Sequence, residues 1–182
     1  PLYYVSAALL LAPLAHAPQM QQLYALRLYS LFLGLLSLLV IYKTFRLVFP
    51  AHAGWALAGV AFVAFLPQHL AMMAGVDNDA MAELALNVTL YFSVRFLLRT
   101  QRDWRDYAAL GLAVVAVIWT KMTAYVVLPT AFLALLAGNF CRGRWLHGWQ
   151  PVPDRTARWQ RLLWGVVVPL SATLLWFGRN VL

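Results

Sequence analysis

The string GVDNDAMAEL, residues 75–84, places carboxylates and an amide in a chain that is otherwise rich in Leu, Ala, Val and aromatic residues. Carboxylates can deprotonate or orient a hydroxyl, or bind a divalent cation. Asp79 and Asp77 are therefore the candidate catalytic residues. The DND string is also a candidate site for Mg²⁺ or Mn²⁺, but a DxD-like string alone does not establish a metal, so the cofactor question stays open.

Further polar residues continue along the same predicted helix. Glu83 and Asn87 lie one and two helical turns beyond Asp79, so the three side chains share one face. That face must point into a bundle, because lipid does not accommodate a carboxylate. Glu83, Asn78 and His69 are candidates for lining a cavity, although a hydrogen-bonded packing histidine is the simpler interpretation of His69.

Three cations fall near the ends of three different predicted helices: Arg27, Lys121 and Arg179. Arg and Lys are the side chains that bind phosphate oxygens. These residues are therefore candidates for binding one anionic group such as a phosphate at the interface. Each also has a simpler interpretation as an interfacial or snorkelling residue.

The acidic residues have structural alternatives as well. Asp77 or Asn78 can cap the helix that starts near Ala80, because their side-chain oxygens accept free N–H groups of a first turn. Glu83 can be a buried partner for one of the cations, Arg27 or Lys121. A functional and a structural interpretation of the string both stay open from the sequence.

The composition defines the solvent in which these residues act. The 182 residues are 63% hydrophobic and 11% charged, whereas soluble domains are about half apolar and a quarter charged. The sequence therefore predicts an integral membrane protein, an all-α polytopic transmembrane helical bundle. The single Cys141 excludes an intrachain disulfide.

About six segments are apolar enough to be predicted as membrane spans. They are residues 23–42, 55–73, 80–98, 107–120, 124–140 and 162–177. The stretch 1–18 is shorter and contains several prolines, and with Tyr3 and Tyr4 it is predicted to lie at the outer membrane interface.

The positions of Lys and Arg predict the orientation. When the spans are threaded alternately, one side collects Lys43, Arg46, Arg95, Arg99, Arg102, Arg105, Arg142, Arg144, Arg155, Arg158 and Arg161. By the positive-inside rule this side is cytoplasmic, and it includes the loop 141–161. The rule favours a hairpin over one long helix at 107–140. The net charge of +8 thus comes mostly from the Lys and Arg residues that set the membrane orientation, and it does not indicate that the protein binds nucleic acid.

The remaining charged residues collect at the outer ends of the spans. They are Arg27, Asp77, Asp79, Glu83, Lys121 and Arg179. Ionisable residues at this depth mark functional sites by default. The alternatives are a secondary transporter, which would show inverted repeats and midplane charges that this chain lacks, and a structural subunit, which leaves the acids unexplained.

Five strings in order resemble one family. PLYY, LRLYSLFLGLLSLLVIY, GVDNDAMAELALNVTLYFSVRFLLR, GLAVVAVIWTKMTAYVVLP and WFGRNVL are similar to successive signatures of the GT-C membrane glycosyltransferases. The nearest groups are related to protein O-mannosyltransferases and to the lipid A aminoarabinose transferase. The resemblance covers nearly the whole chain.

The resemblance implies an activity. It implies inverting transfer of a sugar from a polyprenyl-phosphate donor to a protein, glycan or lipid acceptor, at the outer face of a bacterial or archaeal plasma membrane. Residues 1–182 would form part of one GT-C-like transmembrane domain. The first span, the general base and a C-terminal outer domain would lie beyond this sequence, which we expect to be an internal fragment, inactive alone.

The same resemblance assigns positions residue by residue. Asp79 matches the family's acidic residue at the start of the helix after the second outer loop, which lines the catalytic cavity. Arg27 and Lys121 match a family Arg and a family Lys. Arg179 and Asn180 match an Arg-Asn pair near the end of the family pattern.

Overall fold

The computed structural model describes residues 2–99, 103–142 and 150–151, and singly Ser171, Thr173, Leu175 and Gly178. In these ranges the chain is almost entirely helical. The α-helices are α1 (Leu2–Leu11), α2 (Gln19–Val48), α3 (Ala53–Ala64), α4 (Pro67–Ala74), α5 (Asp79–Leu98), α6 (Trp104–Ile118) and α7 (Leu128–Phe140). Two 3₁₀ segments, Ala12–Leu14 and Met122–Val127, follow α1 and precede α7. Cys141–Arg142 (β1) and Gln150–Pro151 (β2) form a two-residue antiparallel pair. The predicted all-α class is confirmed.

Helix α5 is the centre of the bundle. Its buried residues are mostly small or hydroxylated: Ala80, Ala82, Ala85, Thr89, Ser93 and Phe96. Small side chains let neighbouring backbones approach closely, which is how helices associate where apolar burial gives no advantage over lipid. Thr89 and Ser93 donate hydrogen bonds to carbonyls one turn earlier in α5. Their hydroxyls therefore need no partner from another helix.

The direction of the helices around α5 fixes which ends meet. Leu33 of α2 packs with Ala80 at the start of α5, and Ser37, one turn later, bonds Glu83. Helices α2 and α5 are therefore parallel. Phe96, near the end of α5, makes an edge-to-face contact with Tyr107 of α6, with ring centroids 4.9 Å apart. Helices α5 and α6 are therefore antiparallel, as alternating threading predicts.

The predicted span 55–73 is broken. Helix α3 ends at Ala64, α4 begins at Pro67, and their axes differ by 61°. Proline has no N–H to continue the α3 ladder, but it fits the first position of a new helix. The string FLPQHL therefore contained the signal for this break.

The prediction of about six spans is too high for the described residues. Only α2 and α5 are long and apolar enough to cross a membrane, and the bent pair α3–α4 raises the number to three at most. The predicted spans 107–120 and 124–140 are short because the chain turns at 119–121 and continues in a 3₁₀ segment. The predicted span 162–177 lies outside the continuously described ranges.

The predicted hairpin at 107–140 is confirmed. Tyr107 and Leu110 of α6 share an apolar cluster with Ala131 and Leu135 of α7. One straight helix would hold Tyr107 and Leu135 about 42 Å apart. The reversal places the tip of the hairpin, with Lys121, beside the start of α5.

Gly34 of α2 is a position where two helices touch. A Cβ added there would lie 2.5 Å from Met73 Sδ and 2.8 Å from Met73 Cγ, and Met73 is buried. We expect Gly34→Ala to lower the free energy of unfolding by about 1–3 kcal/mol, because the overlap outweighs the better helix propensity of Ala. Thermal unfolding of the detergent-solubilised protein measures this.

The matched control for that substitution is Gly54→Ala. Gly54 is also helical, but an added Cβ meets nothing within 4 Å. The melting temperature of the Gly54→Ala variant should equal or slightly exceed that of the parent. Equal melting temperatures for the two variants would show that the Met73 side chain moves away from an added methyl group at residue 34 without loss of stability.

Candidate functional site

An ion pair joins the start of α5 to the tip of the α6–α7 hairpin. Lys121 Nζ donates to Asp79 Oδ1. The two side chains are 33% and 31% exposed, so the pair is accessible from outside the bundle. The hydrogen bond to Asp79 raises the pKa of Lys121, which therefore stays charged at neutral pH.

The neighbouring Asp77 has a local structural role. Its Oδ1 accepts the backbone N–H of Asp79 at 2.8 Å, which satisfies one of the free donors of the first turn of α5. Asn78 occupies the N-cap position but makes no side-chain capping bond. The sequence alternative that Asp77 caps the helix is thus observed, and Asp77 remains exposed beside the ion pair.

Helix α1 begins at the same end of the bundle. The Leu2 N–H donates to the Trp119 carbonyl at 3.0 Å. Tyr3 is buried, and burial together with the charge of Asp77 raises the pKa of its hydroxyl. Tyr4 is 64% exposed. The sequence indicated both tyrosines only as interfacial residues, and no pattern in it predicted their place beside the ion pair.

A hydrogen-bonded network lies deeper in the bundle. His69 Nδ1 of α4 lies 3.0 and 3.1 Å from the two carboxylate oxygens of Glu83 in α5. Ser37 Oγ of α2 donates to Glu83 Oε1 at 2.9 Å, and Asn87 Nδ2 donates to Ser37 Oγ at 2.7 Å. We call these four residues the polar network. Glu83 is therefore paired with His69 and Ser37, and the expected alternative partners, Arg27 and Lys121, do not contact it in the described part of the chain.

The network confirms that Glu83 and Asn87 face into the bundle. Ser37 was not predicted as a polar partner, because a single serine in an apolar helix carries no sequence signal. His69 is 7% exposed and Glu83 18%. Their predicted role in lining a cavity stays a prediction.

The remaining predicted cations differ in what can be said of them. Arg27 is exposed on α2 and makes no ion pair with any described residue. Arg179 lies outside the described residues. Within the described ranges, no three His, Cys, Asp or Glu side chains come together as a metal site would require. Asp77 and Asp79 would therefore need further ligands to hold Mg²⁺ or Mn²⁺.

A second ionic cluster lies at the opposite end of α5. Arg99 Nη1 lies 2.7 and 2.8 Å from the two oxygens of Asp106, and the Asp103 N–H donates to Asp106 Oδ2 at 3.1 Å. These hydrogen bonds raise the pKa of Arg99. The cluster closes the turn between α5 and α6 at the Arg-rich end of the bundle.

The fold and the site define an all-α membrane protein with a carboxylate–cation site at one end of its helices. The family model described as dolichyl-phosphate-mannose-protein mannosyltransferase matches residues 7–152, and the chain belongs to this family of GT-C type. Membership indicates a membrane glycosyltransferase that uses a polyprenyl-phosphate-linked sugar donor. Searches of curated proteins and of solved structures found no significant match.

Proposed function

We propose that this protein transfers a sugar from a polyprenyl-phosphate donor to an acceptor at the outer face of a bacterial or archaeal plasma membrane, with inversion at the anomeric carbon. Family membership supports the donor class and the reaction class. The observation that carries the proposed site is the accessible Asp79–Lys121 ion pair at the end of α5 remote from Arg99. The acceptor is a protein, a glycan or another lipid.

The ion pair suits the chemistry of a phosphate leaving group. When the glycosidic bond breaks, negative charge grows on the carrier phosphate and must be stabilised. Lys121 is already charged and partly exposed, so it can exchange Asp79 for a phosphate oxygen without leaving the site. Asp79 is then free to bind a sugar or acceptor hydroxyl, with Asp77 as a second carboxylate.

Two further cations complete this proposal. Arg27 is exposed on α2 near its start, and α2 runs parallel to α5, so Arg27 lies toward the same end of the bundle as Asp79. Arg179 is proposed as a third phosphate contact from the resemblance alone. This proposal assigns no general base among the described residues, and every activity test uses the full-length protein.

The orientation of the site follows from charge in this proposal. Arg95, Arg99 and Arg105 lie where α5 ends and α6 begins, whereas Asp79 and Lys121 lie at the opposite end of both helices. The positive-inside rule then assigns Asp79 to the outer face. Segment 1–18 would lie on the outer surface, and loop 141–161 in the cytoplasm.

Cysteine labelling tests this orientation. In a cysteine-free background that includes Cys141→Ser, we expect Asn78→Cys to react with a membrane-impermeant maleimide in intact cells. Gly143→Cys should react only after permeabilisation. Labelling of both positions from the same side would contradict the hairpin and the outer site together.

A transfer assay tests the reaction in the same preparation. Vesicles with the Asn78 face outward should transfer sugar from a polyprenyl-phosphate donor to added acceptor, whereas inverted vesicles should not. NMR of the product should show the anomer opposite to that of the donor. Retention of the donor's anomeric configuration, or transfer only by inverted vesicles, would overturn the proposal.

A further inference from the structure

Helix α4 buries two side chains against the bundle, one polar and one apolar. Its two buried residues are His69 and Met73, which are four positions apart and so lie on one face. Met73 packs against α2 at Gly34. His69 contacts Glu83 of α5. The hydrogen-bonded pair His69–Glu83 therefore links α4 to α5.

The hydrogen bonds of the polar network converge on the Glu83 carboxylate, from His69 and Ser37 directly and from Asn87 through the Ser37 hydroxyl. An ionised carboxylate only accepts, so its pairing with His69 requires a proton on Nδ1. Ser37 gives its own proton to Glu83 and accepts one from Asn87. Each bond thus has one donor and one acceptor, and together they fix the rotation of α5 relative to both α2 and α4.

The network lies directly below the residues of the proposed site. Glu83 is one turn from Asp79 on α5, and α4 leads within a few residues to the loop 75–78 that carries Asp77. We propose that His69 and Glu83, with Ser37 and Asn87, are positioning residues that hold loop 75–78 and the first turn of α5 in register with Lys121. This inference rests on the proposed function of Asp79 and Lys121.

A polar link suits this role better than an apolar one. Apolar side chains of two helices can slide past each other in a membrane with little loss, because lipid replaces the lost contact. A carboxylate that loses its donors inside the bundle is strongly penalised, because neither apolar side chains nor lipid can replace its hydrogen bonds. The network therefore permits one register of α4 on α5, which defines where Asp79 points.

The experiment uses the full-length protein with Asn78→Cys carrying a nitroxide spin label in a cysteine-free background. We compare His69→Leu, which removes the donor, with His69→Gln, which keeps an N–H that can reach Glu83. Ser93→Ala is the matched control for Ser37→Ala, because Ser93 is a buried hydroxyl that bonds only its own helix. Label mobility is recorded without donor, and kcat and donor KM are measured on the unlabelled variants.

We expect His69→Leu to increase label mobility and to lower kcat at least about tenfold with donor KM within about twofold, since a misplacement of about 1 Å can cost about 100-fold in rate and the label reports a displacement of part of that size. His69→Gln should restore both, and Ser37→Ala should resemble His69→Leu more than Ser93→Ala does. A lower melting temperature with parental mobility and kcat would reduce the network to a stability role. A raised KM at parental mobility would make His69 a substrate contact. The mobility result stands even if the parent transfers no sugar, so the two proposals fail separately.

Discussion

Asp79→Asn in the full-length protein is expected to lower sugar transfer at least about 100-fold while the protein still folds. Asparagine has nearly the same shape, but it removes the negative charge that holds Lys121 and that faces the sugar in the proposed site. Loss of one electrostatic contact to a developing charge has this order of effect on kcat. Transfer is measured from saturating donor, with folding checked by the melting temperature in detergent.

The control is the same chemical change at the other end of the bundle. Asp103→Asn removes a carboxylate before α6, where asparagine caps a helix equally well, and transfer should stay at the parental level. The double variant with Lys121→Ala separates two roles of Asp79. If Asp79 only holds Lys121, the double variant loses no more than either single one. Near-parental turnover of Asp79→Asn would remove Asp79 from the reaction.

The second large effect is on stability, at the Arg99–Asp106 cluster. We expect Asp106→Ala to lower the free energy of unfolding by about 2–3 kcal/mol, because it removes two charge-assisted hydrogen bonds from Arg99 and the acceptor of the Asp103 N–H. Asp106 is 7% exposed whereas Arg99 is 43% exposed, so water can solvate the guanidinium but reaches the carboxylate poorly, and the loss is smaller than for a fully buried pair. Thermal or denaturant unfolding of the detergent-solubilised protein measures the loss.

Two further variants test this prediction, one with an intermediate expected loss and one as a control. Asp106→Asn keeps one oxygen for Arg99 or the Asp103 N–H and should lose about half as much. Arg105→Ala removes an exposed cation next to it, over the Trp104 ring, and should change stability by less than about 0.5 kcal/mol. If Asp106→Ala and Arg105→Ala have the same free energy of unfolding, the Arg99–Asp106 cluster does not stabilise the protein.

The helices that the sequence predicted well are those with long apolar runs. Helix α5 was predicted at 80–98 and is observed at Asp79–Leu98, because the polar string before the apolar run, with Asp77 accepting an N–H of the first turn, marks the start of the helix. Helix α2 is longer than the predicted 23–42, since Lys43 and Arg46 are good helix formers and charge alone does not end a helix. The break before Pro67 could have been predicted from the proline.

Contacts between helices were not predictable in the same way. The sequence placed Asp79 and Lys121 at the same end of the bundle, but their pairing depends on where the α6–α7 turn lies relative to the first turn of α5. A cation was one alternative partner for Glu83, whereas a histidine and a serine from two other helices contact it. Such pairings depend on helix rotation, which apolar periodicity leaves undetermined when nearly every face is apolar.

The 61° bend between α3 and α4 has a consequence for the lipid around the protein. The two helices measure about 18 Å and about 12 Å along their own axes, and with this bend they reach only about 24 Å in the direction of α3. An unperturbed hydrocarbon layer is roughly 30 Å thick. If α3 and α4 together form one span with α3 along the membrane normal, thinning of the bilayer beside α4 is one way to accommodate the shorter reach. This local dimple would lie on the proposed outer side, next to Asp79. A lipid headgroup there would sit several ångströms deeper than elsewhere, which shortens the path by which a membrane-bound phosphate reaches Lys121.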